Sequence, residues 1–125
     1  MNSQFKKGVI ELCVLSLVKN RDYYGYELVE EISKKVDIAE GTIYPILRRL
    51  TQDKLFETYL RESNEGPPRK YYRITKLGRQ VQSEQIVQWK EFNKNINALL
   101  RTGESHDQGG VSQRIGRQDQ RPAGS

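Results

Sequence analysis

Residues 40–75 read E-G-T-I-Y-P-I-L-R-R-L-T-Q-D-K-L-F-E-T-Y-L-R-E-S-N-E-G-P-P-R-K-Y-Y-R-I-T, and this stretch decides the fold. Its first part is helical in period. At about 100° per residue, Ile43, Ile46, Leu47 and Leu50 share one side, a stripe that asks to be buried. Thr42, Pro45, Arg48, Arg49 and Gln52 fall on the other side, with Tyr44 at the boundary. That outward face carries two arginines and no acid, where a solvated face would usually mix both signs. Asp37 and Glu40 have the spacing of a capping box at the helix start. Pro45 removes an N–H bond toward Gly41, so either the regular helix begins late or its first turns are kinked. Leu55 can close the core beyond the helix end.

The second part alternates. Phe56 to Glu62 and Arg69 to Ile74 read as two strands joined by Ser63-Asn64-Glu65-Gly66-Pro67-Pro68. That loop looks too long for a two-residue turn, and its prolines would stiffen the tip. Arg61, Arg69, Lys70 and Arg73 interleave with Tyr59, Tyr71 and Tyr72, a composition suited to a phosphate backbone. Alternation puts Tyr71 and Tyr72 on opposite sheet faces, so one of them belongs to the core. A helix narrow enough for a DNA major groove, followed by a basic two-stranded wing, is how a winged helix holds a duplex. Arginine suits guanine edges and phosphates alike, and Thr42 near the helix N-terminus adds free backbone N–H groups. An ordinary solvated face that happens to carry two arginines stays open as the plainer alternative.

The flanking segments supply scaffold. Residues 5–19 form a first helix in which Val9, Ile10, Leu12, Cys13, Val14, Leu15, Leu17 and Val18 leave almost no polar face. Such a helix must be covered on all sides, by a partner subunit on one of them or as the central helix of a monomer. Asp22-Tyr23-Tyr24-Gly25 reads as a turn. A second helix follows, with Leu28, Val29, Ile32 and Val36 against the core and Glu27, Glu30, Glu31, Lys34 and Lys35 outward. Thr75 can cap a fourth helix running to about Leu100. In it Trp89, Phe92, Ile96 and Leu99 recur as a coiled-coil-like seam, with Leu77 and Val81 upstream. Together with Leu12 and the rest of the apolar first helix, that seam would bury an interface against a second copy. A two-fold dimer presents two recognition helices, so its DNA site should be a pseudo-palindrome.

Beyond Arg101 the chain holds five glycines and four glutamines with almost nothing apolar, and reads as a disordered tail, native or appended. The expected organisation is therefore a winged helix-turn-helix domain over residues 1–74, a dimerisation helix over 75–100 and a tail over 101–125. The fold class is mainly α with a two-stranded β wing.

Composition narrows the function. A chain of 125 residues has room for one core. Its 21 Lys and Arg against 16 Asp and Glu give a formal charge of +5, too modest to establish nucleic-acid binding without the placement of the cations. The single cysteine, Cys13, forms no intrachain disulfide and fits a reducing cytoplasm. Lys6-Lys7 and the apolar run after them imitate a signal peptide, but Glu11 interrupts the run and Lys19-Asn20-Arg21-Asp22 stands where a cleavage site should be. No stretch approaches the roughly 20 apolar residues of a membrane span, so a soluble cytoplasmic protein is expected. The sole histidine, His106, lies in the tail, and Cys13 sits in an apolar helix where a thiol is usually inert. Without a metal-ligand cluster, a nucleophile–base pair or a phosphate-cradling glycine loop, no catalysis, metal or cofactor is expected.

Residues 5–100 resemble the PadR family of bacterial winged-helix repressors, in its short-C-terminus subgroup. The resemblance is carried by Y-G-Y-E-L at 24–28, G-T-I-Y-P-I-L-R-R-L at 41–50, G-P-P-R-K-Y-Y-R-I-T at 66–75, and Gly78 before a long helix containing Trp89. It implies a homodimer bound to palindromic operator DNA, with the third helix in the major groove and the wing on the backbone. It places DNA recognition on Thr42, Tyr44, Pro45, Arg48 and Arg49, wing contacts on Arg69 and Lys70, and a weaker phosphate contact on Tyr26. In a lactococcal multidrug-sensing member that the chain resembles, a tryptophan matching Trp89 pairs across the dimer axis and stacks planar drugs. The resemblance thus implies a small aromatic effector at Trp89, against the simpler role of packing the interface. The competing class is a winged-helix module that uses the same helix and wing to bind another protein, without specific DNA binding.

Overall fold

The computed structural model describes residues 3–110, with side chains described for residues 7–104. In chain order the elements are α1 (Ser3–Asn20), β1 (Tyr23–Tyr24), α2 (Gly25–Ser33), α3 (Glu40–Gln52), β2 (Phe56–Ser63), β3 (Gly66–Ile74) and α4 (Lys76–Gly110). The three strands form one antiparallel sheet in the order β1-β3-β2. The fold is mainly helical, with a small wing sheet and a long C-terminal helix. The chain divides into two compact units between Ile86 and Val87.

The first unit has one core. Ile10, Val14, Leu15 and Val18 of α1, Leu28, Val29 and Ile32 of α2, and Ile43, Ile46, Leu47 and Leu50 of α3 pack together with Phe56, Tyr72 and Ile74 of the sheet. On α1, Val9, Leu12, Cys13 and Leu17 are half-buried. The expected stripe of α3 is the buried one, and Tyr72 rather than Tyr71 is the core tyrosine of β3.

Three local readings need correction. Tyr23–Tyr24 is a strand rather than part of a turn, pairing Tyr23 with Tyr72 and Tyr24 with Tyr71. Two residues are too few for local sequence to signal a strand; the partner strand at Tyr71–Tyr72, far along the chain, makes it one. The wing connection is tighter than expected, because Ser63 pairs with Gly66 and leaves Asn64-Glu65 as a two-residue turn. Gly66 takes φ +144°, which a side chain would resist, and Ser63 Oγ accepts from the Glu65 N–H at 3.2 Å. Pro67 and Pro68 lie within β3, next to the register shift between Arg61 and Ser63, where a missing N–H breaks fewest ladder bonds. At the start of α3, Ala39 is the N-cap without a side-chain cap bond, so the Asp37/Glu40 capping box is not the device used. Pro45 lies inside the helix rather than before it, and the Thr42 N–H bonds Ala39 O over three residues at 2.9 Å.

The ends of α3 and α4 are locked by backbone chemistry. Lys54, at φ 67°, follows α3 in the left-handed region; its N–H reaches Thr51 O at 3.1 Å and the Leu55 N–H reaches Leu50 O at 2.9 Å. This pair of bonds is a Schellman stop, and it delivers Leu55 into the core. Thr75 caps α4 as expected, its Oγ1 accepting from the Gly78 N–H at 2.9 Å while donating to Lys54 O at 2.7 Å. A Cβ on Gly78 would fall 2.2 Å from Leu55 O, so only glycine lets this helix approach so closely. Gln82, 5% exposed, donates to Ser16 Oγ at 3.0 Å and accepts from Lys19 Nζ at 3.1 Å, which ties the first turns of α4 to α1.

Beyond Val87, α4 continues past Leu100, where the sequence suggested it would end, to Gly110. No proline interrupts this stretch, and intrahelical bonding carries on, with Thr102 Oγ1 donating to Ala98 O at 3.3 Å. The rest of the expected 101–125 tail, residues 111–125, lies outside the described residues.

Candidate nucleic-acid interface

A groove of about 640 Å³ opens between α3, the start of α2 and the wing. From α3 it takes Tyr44, Arg48, Thr51 and Gln52; from the wing Thr58, Arg69, Lys70 and Tyr72; from the α2 start Gly25 and Tyr26. Five of the residues expected to touch DNA therefore meet here: Tyr26, Tyr44, Arg48, Arg69 and Lys70. Thr42, Pro45 and Arg49 are not among its lining. Pro45 is exposed on the outward side of α3, and Thr42 is half-buried in its first turn.

Glycine makes the groove wall possible. A Cβ on Gly25 would stand 3.0 Å from Tyr44 Cε1, so the bare backbone of α2 accommodates the Tyr44 ring. The start of α2 is closed by Glu27, whose Oε1 accepts from the Tyr24 N–H at 3.0 Å. Tyr26 beside it is 50% exposed, its ring centroid 6.3 Å from that of Tyr24. Burial raises the Tyr44 hydroxyl above its ordinary pKa, with Glu40, Tyr24 and Tyr26 adding to the shift. Burial also raises that of Tyr72, Tyr44 adding to it and Arg48 partly offsetting it. Both hydroxyls thus stay protonated at neutral pH, and a protonated hydroxyl can donate to a phosphate oxygen.

The two arginines of α3 part company. Arg48 is exposed and lines the groove, whereas Arg49 makes an ion pair with Glu11 on α1. Sequence reasoning did not single out Glu11 as a partner, because α1 and α3 meet only in the folded chain. The wing is also divided. Tyr24, Tyr71 and Tyr59 form a row across its three strands, with neighbouring centroids 5.7 and 5.6 Å apart. Arg69 lies over Tyr24 at 4.6 Å, Arg61 over Tyr71 at 5.2 Å and Arg73 over Tyr59 at 4.8 Å. Tyr59 donates to Asp22 Oδ2 at 2.6 Å, which is the leading cause of its raised pKa. Its hydroxyl is therefore engaged within the fold. Lys70, paired with Leu60 across the ladder, is exposed.

In the second unit Trp89 and Ile96 are half-buried, while Phe92 is 48% and Leu99 71% exposed. The Trp89 and Phe92 rings lie 6.3 Å apart along the helix. Among the described residues, no group of three or more His, Cys, Asp or Glu is placed to hold a metal ion, and no helix is long and apolar enough to cross a membrane. Burial raises the pKa of the Cys13 thiol.

A helix carrying Arg48 and a basic wing facing one groove are the parts of a winged-helix fold, and comparison with known proteins makes the class specific. Residues 14–84 match the Transcriptional regulator PadR-like family, and the chain belongs to that family. It is 34% identical over 104 residues to an uncharacterised protein of Lysinibacillus sphaericus, covering 80% of this chain and 95% of that one. Among solved structures it resembles a PadR-like transcriptional regulator of Bacillus cereus, at 39% identity and a TM-score of 0.71, covering 78% of this chain and 96% of the other. A PadR-like transcription factor of Bacteroides fragilis is similar at 36% identity and a TM-score of 0.67, over 78% and 95% of the two chains. The protein is thus a DNA-binding transcriptional regulator of the PadR type.

Proposed function

We propose that the chain is a dimeric cytoplasmic repressor of a pseudo-palindromic operator, in the short-C-terminus subgroup of its family. The carrying observation is the groove itself, which collects Arg48, Tyr44 and Tyr26 opposite Arg69 and Lys70. In this reading α3 enters the major groove, Arg48 pairs with a base edge, and Thr42, Tyr44 and Pro45 approach the duplex beside it. Tyr26, Arg69 and Lys70 bind phosphates. Arg49 belongs to the same helix, but Glu11 engages it. Residues 1–74 supply the winged helix-turn-helix. The seam of Trp89, Phe92, Ile96 and Leu99 supplies the dimer, joined by Leu12.

Duplex binding titrated across salt tests this reading. Several Lys and Arg contacts to phosphate predict a steep log–log fall in affinity. Arg48→Ala should cost roughly 1–3 kcal/mol on the selected operator and relax its sequence preference, while Lys70→Ala weakens all duplexes alike. A flat salt response with no preferred promoter fragment would instead favour a protein-binding module. The exposed stripe around Trp89 also supports a flat aromatic effector stacked between paired indoles. Planar dyes should then quench Trp89 fluorescence in the dimer; a broad panel that quenches nothing leaves Trp89 as interface packing.

A further inference from the structure

Arg48 and Arg49 are adjacent in sequence, yet they leave α3 on different flanks. Arg48 lines the groove shared with the wing; Arg49 pairs with Glu11, the residue that breaks the apolar run of α1. The Glu11 side chain is 19% exposed and that of Arg49 47%. A carboxylate so largely covered is costly to strand. If Arg49 swung out to a DNA phosphate, Glu11 would lose its counter-charge while a polyanion approached.

We propose that Glu11 holds Arg49 off the DNA backbone, leaving Arg48 as the arginine of α3 that engages DNA. The inference rests on α3 being the DNA-facing helix. One cation withheld per protomer weakens the electrostatic binding common to all duplexes without removing any base-edge contact. Glu11 touches no DNA in this scheme; it is a positioning residue acting through Arg49.

The test uses the full chain, a mixed-sequence duplex and the operator duplex selected from a random library, each titrated across salt. Glu11→Gln should bind the mixed-sequence duplex several-fold more tightly at low salt and steepen its log–log salt slope by about 0.9 per protomer. Adding Arg49→Gln to Glu11→Gln should cancel that gain. Arg49→Gln alone should leave the slope at the native value, a readout that does not depend on the Glu11 variant folding. The proposal is overturned if Arg49→Gln alone flattens the slope by about 0.9 per protomer, since Arg49 would then touch phosphate in the native protein. It is equally overturned if Glu11→Gln leaves slope and mixed-sequence affinity unchanged, or lowers Tm and weakens both duplexes alike, the mark of simple α1–α3 glue. Arg48→Ala separates the two layers. If it has no effect, the DNA-facing role of α3 and this inference fall together; if it weakens operator binding while Glu11→Gln behaves as native, only this inference falls.

Discussion

Two apolar stripes of helical period end up in different surroundings. On α3, Ile43, Ile46 and Leu47 are 0% exposed and Leu50 2%; on α4 beyond Ile86, Phe92 is 48% and Leu99 71% exposed. Periodicity says which side chains share a face, and it is blind to what covers that face. The α3 stripe is covered by α1, α2 and the sheet of its own chain, which fixes where its opposite face, with Arg48, can point. Phe92 and Leu99 of the α4 stripe keep their contact with water. Apolar area left in water, at about 25 cal/mol per Å², is a driving force toward association, which is the physical support for the proposed dimer.

The contrast can be broken most directly by trimming one leucine from each stripe. Leu47→Ala should cost roughly 2–5 kcal/mol of stability in denaturant unfolding, because it opens a cavity in a closed core. Leu99→Ala should leave the unfolding of the dilute chain near native while weakening self-association, read by sedimentation across protein concentration. Equal losses of stability from both, at every concentration, would erase the distinction. Within α4 the contrast sharpens at Gly78, whose added Cβ would meet Leu55 O at 2.2 Å and Ile74 Cγ1 at 2.7 Å. Gly78→Ala should therefore cost about 1–3 kcal/mol, although it lies on the same helix as the tolerant Leu99. A native-like unfolding midpoint would mean that the first turns of α4 are not held by the core.

The smallest effect is expected in alkali. Tyr44 and Tyr72 keep their protons longer in the folded chain than in the unfolded one, since burial raises both. Unfolding then releases protons, so stability should decline as pH rises through the ordinary tyrosine value of about 10. All seven tyrosines precede Gly78, and the α4 seam has none to titrate. Phenolate absorbance followed beside unfolding should show late-titrating tyrosines. If every tyrosine ionised at the ordinary value while stability held, the enclosure of Tyr44 and Tyr72 would be refuted.

Much of the fold was legible because its signals are local. The stripes of α2 and α3, the alternation of the wing and the Thr75 cap each need only a few neighbouring residues. The reading slipped where local cues competed. Pro67 and Pro68 argued for a long loop, yet a bulge admitted them to β3; Asp37 and Glu40 had cap spacing, yet Ala39 took the cap. Part of the candidate groove was legible too, since the outward face of α3 pointed to Arg48 and the basic wing to Arg69 and Lys70, with Tyr44 at the boundary of that face. Gly25 and Tyr72 did not stand out as groove-lining residues, because each gains that role from packing rather than from its neighbours in sequence.

The sequence by itself determined the helices, the two long strands and the supply of cations, because backbone periodicity and side-chain charge are written residue by residue. Only the tertiary structure decided how those cations are shared out. Arg48 and Arg49 are equivalent in composition, but about 100° of helical rotation separates them. One faces the wing and the other meets Glu11, thirty-eight positions earlier in the chain. Likewise Tyr23–Tyr24 became a strand only when Tyr71–Tyr72 arrived beside it. Charge pairing and strand pairing are distance-dependent and indifferent to sequence separation, so the packing of α1, α3 and the sheet settles them.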